Sequence, residues 1–487
     1  MRTNRLWGRA IAFFKAVLPR RPRARNTLTA ADHARFFAAA ECSLDDFCIF
    51  DGVPDASGAI VDFTFSYINP NAERRLLGAA LVCSLGGLVF GYDLGALSSA
   101  SQSLHDFFGL APGSFGLTIS ASLWGTVCGA PLAGAIVDRL GRRTLIAACA
   151  LVYGLAAIGL ALPFTAAWQA VLMLRVASGA AIGGFTVGCP LYLAELAPDR
   201  LRGRLVSLFQ VQVGIGVVAA FALGALLRAT SAAVYWRWCF GLGAAPAALL
   251  VALLWALPRD PRRSARQFEA TEGVTAAHQM PPAPRERLFQ RKYLRPLAWA
   301  TSIAVFNQLS GVNILLLYLL DVLLSAGMSR LLEHTYTVWI SSLSLAFTFV
   351  GLSFVDRLGR KALLMLGSAG MFSCLAALAL AIPRHIAPVG LLIILSAYNL
   401  CFAFSQGTVV WVYLSELFPP AVRGAGQGYG VTVHWVANAA LIGLFPLVQH
   451  AAPAGSFYAL AAMMAVQIPV IWLWYPETRG TALGAVA

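Results

Sequence analysis

The sequence predicts an all-α membrane protein with twelve transmembrane helices arranged as two pseudo-symmetric bundles of six. Three observations predict this fold. Apolar residues make up 59% of the 487-residue chain and charged residues 12%, about half the charged fraction of an average soluble domain. Apolar segments of roughly 20 residues, long enough to cross the hydrocarbon core of a bilayer, recur along the chain. Two short motifs each occur twice, about 220 residues apart.

The repeated motifs divide the chain into matching halves. Asp138–Arg143 recurs as Asp356–Lys361, at an offset of 218 residues, and Leu191–Pro198 recurs as Val412–Pro419, at an offset of 221. Membrane proteins built from two parallel repeats place their substrate site between the repeats, near the bilayer midplane. The repeat therefore indicates a transport function.

Each apolar segment is predicted to be a helix, because a spanning segment must satisfy its own backbone hydrogen bonds and these segments are too long for barrel strands. The predicted spans are 78–98, 116–137, 144–163, 166–193, 205–228, 236–257, 298–325, 335–355, 362–382, 388–414, 425–449 and 456–475.

The spans divide the chain into five predicted parts. These are a leader (1–75), a first bundle (76–257), a Pro- and Arg-rich connector (258–297), a second bundle (298–476) and a short tail (477–487).

The basic residues predict the orientation of the chain in the membrane. Of the 36 Lys and Arg residues, 31 fall on the side of the leader, the connector and the tail. The positive-inside rule puts that side in the cytoplasm, with both termini. We therefore expect a multi-pass protein of the cell inner membrane. The net charge of +14 is expected to contact lipid headgroups, not nucleic acid.

The leader contains segments that resemble the opening of a PAS sensor domain. They are 44–51, 61–70 and 71–78, which read as two strands around a turn followed by a helix. A complete domain needs about 100 residues and a core of its own. A gene-fusion remnant or an upstream start codon is therefore the simpler interpretation, and a sensor derived from a transporter is the alternative. The nine cysteines lack the spacing of metal ligands, so no metal site is expected.

Ordered motifs along the chain carry a family resemblance. They are Phe90–Asp93, Gly134, Asp138–Arg143, Arg175 with Gly179 and Gly183, Tyr192–Arg202, Trp236–Trp238, Gln308–Asn313, Asp356–Lys361, Trp411–Arg423 and Pro476–Gly480. By these motifs, residues 78–480 resemble the sugar porter family of the major facilitator superfamily. The resemblance implies alternating access around a central sugar site. We expect a monomer and no cofactor.

Two charged residues in predicted spans, Asp93 and Arg175, are candidates for proton coupling. A charge at mid-membrane costs about 2.5–3.5 kcal/mol on insertion scales and marks a functional site by default. Burial favours the neutral acid whereas a nearby guanidinium favours the carboxylate. In the resembling family, aspartate at the position of Asp93 accompanies proton-coupled members. A static ion pair that braces the first half is the alternative.

Polar and aromatic residues of the spans are candidates for sugar binding, because amides offer both donors and acceptors to hydroxyl groups and an indole offers a flat apolar face. Gln308 and Asn313 are expected to share one face only if their helix is broken at Ser310–Gly311, since five residues of a regular helix turn about 500°. The candidates are Phe90, Gln210, Asn307, Gln308, Asn313, Tyr318, Gln406, Trp411 and Asn438, with His434 less strongly indicated.

Charged residues at the predicted cytoplasmic helix ends are candidates for a gate. Singly, each would be a surface charge worth less than about 1 kcal/mol, but their duplication in the two halves favours ion-pair networks that close that side. They are Asp138, Arg139, Arg142, Glu195 and Arg202 in the first half, and Asp356, Arg357, Arg360, Glu416 and Arg423 in the second.

These observations predict a secondary transporter that imports a monosaccharide or related polyol together with a proton. A sugar uniporter, or an exporter of another small organic solute, is the alternative within the same fold. An enzyme is not expected, since no nucleophile–base pair and no phosphate-binding loop stands out in the sequence.

Overall fold

The computed structural model describes residues 53–54, 60–61, 70–162, 167–198, 201–230, 235–256, 286–315, 333–384 and 386–479. Tyr318, the end of the tail and most of the leader and the connector lie outside these residues. The chain divides into two compact units, one of Met1–Arg75 with Arg263–Gln279 and one of Leu76–Arg262 with Met280–Ala487.

The first unit contains a short antiparallel strand pair. Strand β1 (Val53–Pro54) pairs with β2 (Ile60–Val61), so that Val53 faces Val61 across the ladder. The rest of the PAS-like segment before residue 70 lies outside the described residues, and the resemblance to a sensor domain stays a prediction.

The first half of the second unit contains helices for all six predicted spans. Span 6 consists of two helices separated by a turn at residues 242–243. The helices are α1 (Pro70–Phe108), α2 (Pro112–Leu140), α3 (Arg142–Ala161), α4 (Trp168–Leu196), α5 (Arg202–Thr230), α6 (Tyr235–Gly241) and α7 (Ala244–Ala256).

The second half repeats this pattern, and here span 10 is divided. The helices are α8 (Leu294–Leu309), α9 (Glu333–Leu358), α10 (Arg360–Ala381), α11 (Pro388–Phe404), α12 (Gln406–Glu416), α13 (Arg423–Ala451) and α14 (Pro453–Trp474). Short 3-10 helices at Arg291–Tyr293 and Ile382–Arg384 precede α8 and follow α10. The helix of predicted span 7 is described only as far as residue 315.

The described helices have the length and the surface of membrane spans. Ten of them, with divided spans counted once, are long and apolar enough to cross a bilayer. Large apolar side chains point outward, among them Trp255 (79% exposed), Met173 (73%) and Leu473 (73%). Such a surface is favourable against lipid tails, which are as apolar as the side chains themselves.

The two halves meet most closely where α2 lies against α13. A Cβ atom added at Gly134 would lie 2.7 Å from Cα of Gly428, and one added at Gly428 would lie 2.7 Å from Cα of Gly134. Only glycine permits two backbones to approach so closely, as at other small-residue helix contacts in membranes.

Two helices of the second half are interrupted at mid-span. After α8 the chain turns at Ser310–Gly311, where Gly311 has a φ of +85°, a conformation that glycine adopts without a steric penalty. Between α11 and α12, Ser405 has φ −114° and ψ −92°. Its hydroxyl group donates to the carbonyl oxygen of Cys401 over 2.5 Å, and such local bonds bend helices. Both interruptions free backbone and side chains in the interior, where transporters form binding sites.

Candidate substrate and proton site

Asp93 of α1 and Arg175 of α4 form a buried ion pair. Nη1 of Arg175 lies 2.6 Å from Oδ1 of Asp93, and the side chains are 1% and 4% exposed. The hydroxyl groups of Ser122 and Tyr153 donate to the same carboxylate over 3.4 and 3.3 Å. The sequence thus identified the pair, whereas the two hydroxyl partners become visible only when α2 and α3 pack beside it.

The guanidinium of Arg175 is only partly satisfied. Its carbon atom lies 4.8 Å from the ring centroid of Phe240, a distance typical of a cation–π contact. Its Nε and Nη2 atoms are buried and find no hydrogen-bond partner among the described residues. A buried cation that depends on one carboxylate is sensitive to any change in the charge of that carboxylate. The geometry therefore suits a protonation switch as well as it suits a brace.

The break in span 7 brings two predicted sugar ligands together. The amide nitrogen of Asn313 donates to Oε1 of Gln308 and to Oδ1 of Asn438, over 2.9 Å in each case. Gln308 and Asn438 are buried, and Asn313 is half-buried. The three amides, from α8, the segment after its break and α13, form one connected group.

The hydrogen bonds continue to both sides of this group. The amide nitrogen of Gln308 lies 2.7 Å from Nε2 of His434, and since an amide nitrogen can only donate, the imidazole accepts. On the other side, Gln308 donates to Asn307 over 3.5 Å, and Asn307 donates to Gln406 over 3.4 Å. Gln308, Asn307 and Gln406, together with Asn313 and Asn438, are called the amide cluster below, and His434 contacts it.

A further glutamine supports the cluster from behind. The amide nitrogen of Gln406 donates to Oε1 of Gln467 over 2.6 Å, and Ser368 donates to the same oxygen over 3.0 Å. Gln467 is fully buried on α14. The sequence analysis missed this residue, although a lone amide in the apolar segment 456–475 was a signal that could have revealed it.

Aromatic rings line one side of the cluster. The indole of Trp411 lies 5.2 Å from the ring of His434 and 5.7 Å from that of Phe209. Its Nε1 donates to Oε1 of Gln210 over 3.0 Å, which joins α12 of the second half to α5 of the first. Phe90 lies 6.5 Å from Phe209. The predicted residues Phe90, Gln210 and Trp411 thus meet beside the amide cluster.

Ion pairs lie at the helix ends that carry the repeated motifs. This end of the protein is called the basic end below. In the first half, Arg142 pairs with Asp138 over 2.7 Å and with Glu195 over 2.8 Å. In the second half, Arg360 pairs with Asp356 over 2.9 Å and with Glu416 over 2.8 Å. The repeat in the sequence is therefore a repeat in the contacts as well.

Contacts between the two halves also lie at this end. Nη1 of Arg423 lies 3.9 Å from Glu195, and the backbone nitrogen of Arg204 donates to Asp356 over 2.9 Å. Arg202 is buried nearby at the start of α5. Arg139 and Arg357 differ from the other predicted gate residues, since both are exposed and neither belongs to the ion pairs recorded among the described residues.

The motif at the start of the tail contributes a helix cap that the sequence analysis did not assign. Glu477 accepts hydrogen bonds from the backbone nitrogens of Arg360 over 3.1 Å and Lys361 over 3.0 Å. A carboxylate at the first turn of a helix satisfies free N–H groups and complements the helix dipole. Among the described residues, no group of three or more His, Cys, Asp or Glu could hold a metal ion.

Comparison with known proteins identifies the family. The model of the sugar (and other) transporter family matches residues 79–487. The chain belongs to this family. A glucose transport protein of Synechocystis is 31% identical to it over 445 residues, which cover 82% of this chain and 95% of that protein. As a sugar transporter family member, the protein is a multi-pass membrane transporter and not an enzyme.

Solved structures confirm the fold. The proton:xylose symporter XylE bound to 6-bromo-6-deoxy-D-glucose matches with a TM-score of 0.76 and 25% identity, covering 84% of this chain and 98% of that one. The transporter therefore has the major facilitator fold that the sequence predicted. The inward open conformation of XylE from E. coli matches with a lower TM-score of 0.66, at 26% identity and with 84% and 99% covered.

Proposed function

We propose that the protein imports a neutral monosaccharide or related polyol together with a proton, by alternating access between its two halves. The observation that carries the proposal is the pairing of two sites. A buried Asp93–Arg175 ion pair lies in the first half, and an uncharged amide cluster lies in the second half, joined to the first through Trp411 and Gln210. The similar XylE structure belongs to a proton:xylose symporter.

The amide cluster supports a sugar as the substrate. Its members now bond to one another, as in Asn313 with Gln308 and Asn438, and sugar hydroxyls can replace those bonds one for one, because each hydroxyl both donates and accepts. The face of Trp411 suits the C–H surface of a sugar ring. A charged substrate would find no counter-charge among these neutral amides, which disfavours it.

The ion pair supports proton coupling. Protonation of Asp93 would remove the charge that Arg175 now pairs with, and the buried guanidinium would then favour a different arrangement of α1 and α4. In the proposed cycle, a protonated Asp93 and a bound sugar together permit the halves to rock. A membrane potential would then add about 2.3 kcal/mol per charge per 100 mV to uptake.

The contacts at the basic end support an outward-facing orientation of the described state. Arg423–Glu195 and Arg204–Asp356 join the halves there, and the match to the inward open conformation of XylE is the weaker one. The charge bias of the sequence places this end in the cytoplasm, in the inner membrane of the cell.

Uptake into proteoliposomes tests the proposal. D-Glucose and D-xylose serve as probes, with and without a pH gradient that is acid outside. We expect entry of at least one probe to follow the gradient, and Asp93→Asn to abolish accumulation but to retain exchange. Asp106→Asn is the matched control, since Asp106 is an exposed acid of the same helix. Gradient-independent entry that survives Asp93→Asn would favour a uniporter.

The sensor alternative is tested by removal of the leader. Transport should persist after deletion of residues 1–75, because the amide cluster and the ion pairs lie in 76–479. Loss of a signalling output with transport preserved would favour the sensor.

A further inference from the structure

Gln427 is a buried polar residue that belongs neither to the proposed sugar site nor to the proposed gate. It lies on α13, four residues after Arg423 of the basic end and seven before His434, which contacts the amide cluster. At 1.5 Å per residue these separations are about 6 and 10 Å along the helix. Gln427 therefore lies between the proposed sugar site and the proposed gate.

The four polar residues of α13 share one side of the helix. At 100° per residue, Arg423, Gln427, His434 and Asn438 fall within roughly 60° of each other. Arg423 reaches Glu195 of the first half, whereas Asn438 bonds to Asn313 of the cluster. The same side of α13 thus leads from the cluster to the contact between the halves.

The amide of Gln427 is unsatisfied in the described state. The residue is 0% exposed, and neither Nε2 nor Oε1 has a hydrogen-bond partner among the described residues. A buried amide without partners loses its hydration and gains nothing in return. Such a group calls for an explanation, and a partner that is present in a different state is one.

The neighbouring residues show which movement would supply that partner. Gly424, three residues before Gln427, and Gly428, directly after it, lie against α2. Cβ atoms added there would come within 2.6 Å of Asp138 and 2.7 Å of Gly134, respectively. If the basic end opens, α13 separates from the first half along this line. The side of α13 that carries Gln427 then lines the aqueous path from the amide cluster.

We propose that Gln427 is a second sugar-binding position, on the route between the amide cluster and the basic end, which takes sugar only while that end is open. An amide offers one acceptor and two N–H donors, which suits the hydroxyl groups of a neutral polyol. The inference rests on the proposed sugar transport and adds a transit position to it. In the closed state the position is dry. When the end opens, it takes sugar from the amide cluster and releases it toward the cytoplasm.

Sugar affinity measured in two backgrounds tests this position. D-Glucose and D-xylose are titrated calorimetrically onto the purified full chain in nanodiscs. One background is unsubstituted, and the other carries Glu195→Gln with Asp356→Asn to weaken the contacts between the halves. In the weakened background, we expect Gln427→Met to lower the affinity about fivefold, and Gln427→Asn to lower it less. In the unsubstituted background the change should stay below twofold.

Thr432→Val is the matched control, because the Thr432 hydroxyl group donates to the carbonyl oxygen of Gly428 within the same helix. Thr432→Val should leave the sugar affinity unchanged in both backgrounds. Equal effects of Gln427→Met in both backgrounds, or none in the weakened one, would overturn the transit position. A melting temperature of Gln427→Met below that of the unsubstituted protein would overturn it too, since it would show that the amide already has a partner. If the unsubstituted chain neither binds nor transports either sugar, the proposed function fails as well. If it binds sugar normally, a negative result concerns Gln427 alone.

Discussion

The side chain of Asn313 donates to that of Gln308 over 2.9 Å, although a regular helix would turn residues five apart to different sides. The backbone break at Gly311, with its φ of +85°, makes this bond possible. The bond in turn links α8 to Asn438 of α13. One glycine therefore determines the geometry of the amide cluster.

Gly311→Ala should weaken the cluster. Alanine at positive φ is strained by about 1–3 kcal/mol, and its Cβ would lie 2.7 Å from Cδ1 of Leu460. We expect a sugar affinity about tenfold lower and a lower melting temperature, measured by titration and by thermal unfolding. Gly116→Ala is the control, since Gly116 is helical with open space around it and alanine there favours the helix. Unchanged affinity in Gly311→Ala would show that the break does not depend on glycine.

Gln467→Met should raise the KM for sugar about fivefold through Gln406. The substitution removes the oxygen that accepts from both Gln406 and Ser368, so the amide of Gln406 loses its fixed position. The dependence of uptake on pH should stay as it was, because the Asp93–Arg175 pair lies in the other half. Ser373→Ala, at an exposed serine of α10, is the control. A shifted pH profile in Gln467→Met would contradict a purely positioning role.

Trp411→Phe should separate the two contributions of the indole. Phenylalanine keeps an aromatic face for the sugar but loses the bond from Nε1 to Gln210, worth about 0.5–1.5 kcal/mol. We expect a threefold to tenfold lower affinity, intermediate between the unsubstituted protein and Trp411→Ala, in sugar titrations. Trp238→Phe controls for general loss of an indole, because Trp238 is 54% exposed. Equal affinity of Trp411→Phe and Trp411→Ala would mean that the hydrogen bond matters and the ring face does not.

Arg360→Met should destabilise the closed basic end far more than Arg357→Met. Arg360 is 1% exposed and pairs with Asp356 and Glu416, and removing one partner of a buried pair costs about 3–5 kcal/mol. Arg357, three residues earlier, is exposed, and its substitution should lower the free energy of unfolding by less than about 1 kcal/mol. Thermal unfolding measures the difference, and thiol labelling of Val431→Cys, a site 0% exposed here, measures opening. Similar results for the two arginines would contradict the gate.

Much of the fold could be predicted from the sequence, because the length and apolar content of each segment and the distribution of basic residues can be read directly along the chain. Together they leave few alternatives to a helical membrane protein. Where the residues of the predicted spans are described, they lie mostly in helices. The candidates Asp93 and Arg175 are in contact, and so are the gate candidates Arg360 and Glu416. Motif context selected Asn307 and Gln308 of α8, which lie within hydrogen-bond distance of each other in the amide cluster. Their partners were harder to find, since Gln467 and His434 lie on helices that are distant in the sequence.

By itself, the sequence determined the all-helical membrane fold, the repeat and the kinds of side chain available, since each is a property of composition and of spacing along the chain. Only the tertiary structure decided which buried polar groups have partners. In the folded protein Gln308 donates to His434, whereas the amide of Gln427 has no hydrogen-bond partner among the described residues. The physical reason is that hydrogen bonds in a membrane interior depend on distances of a few tenths of an ångström between helices, and those distances follow from packing across the whole bundle.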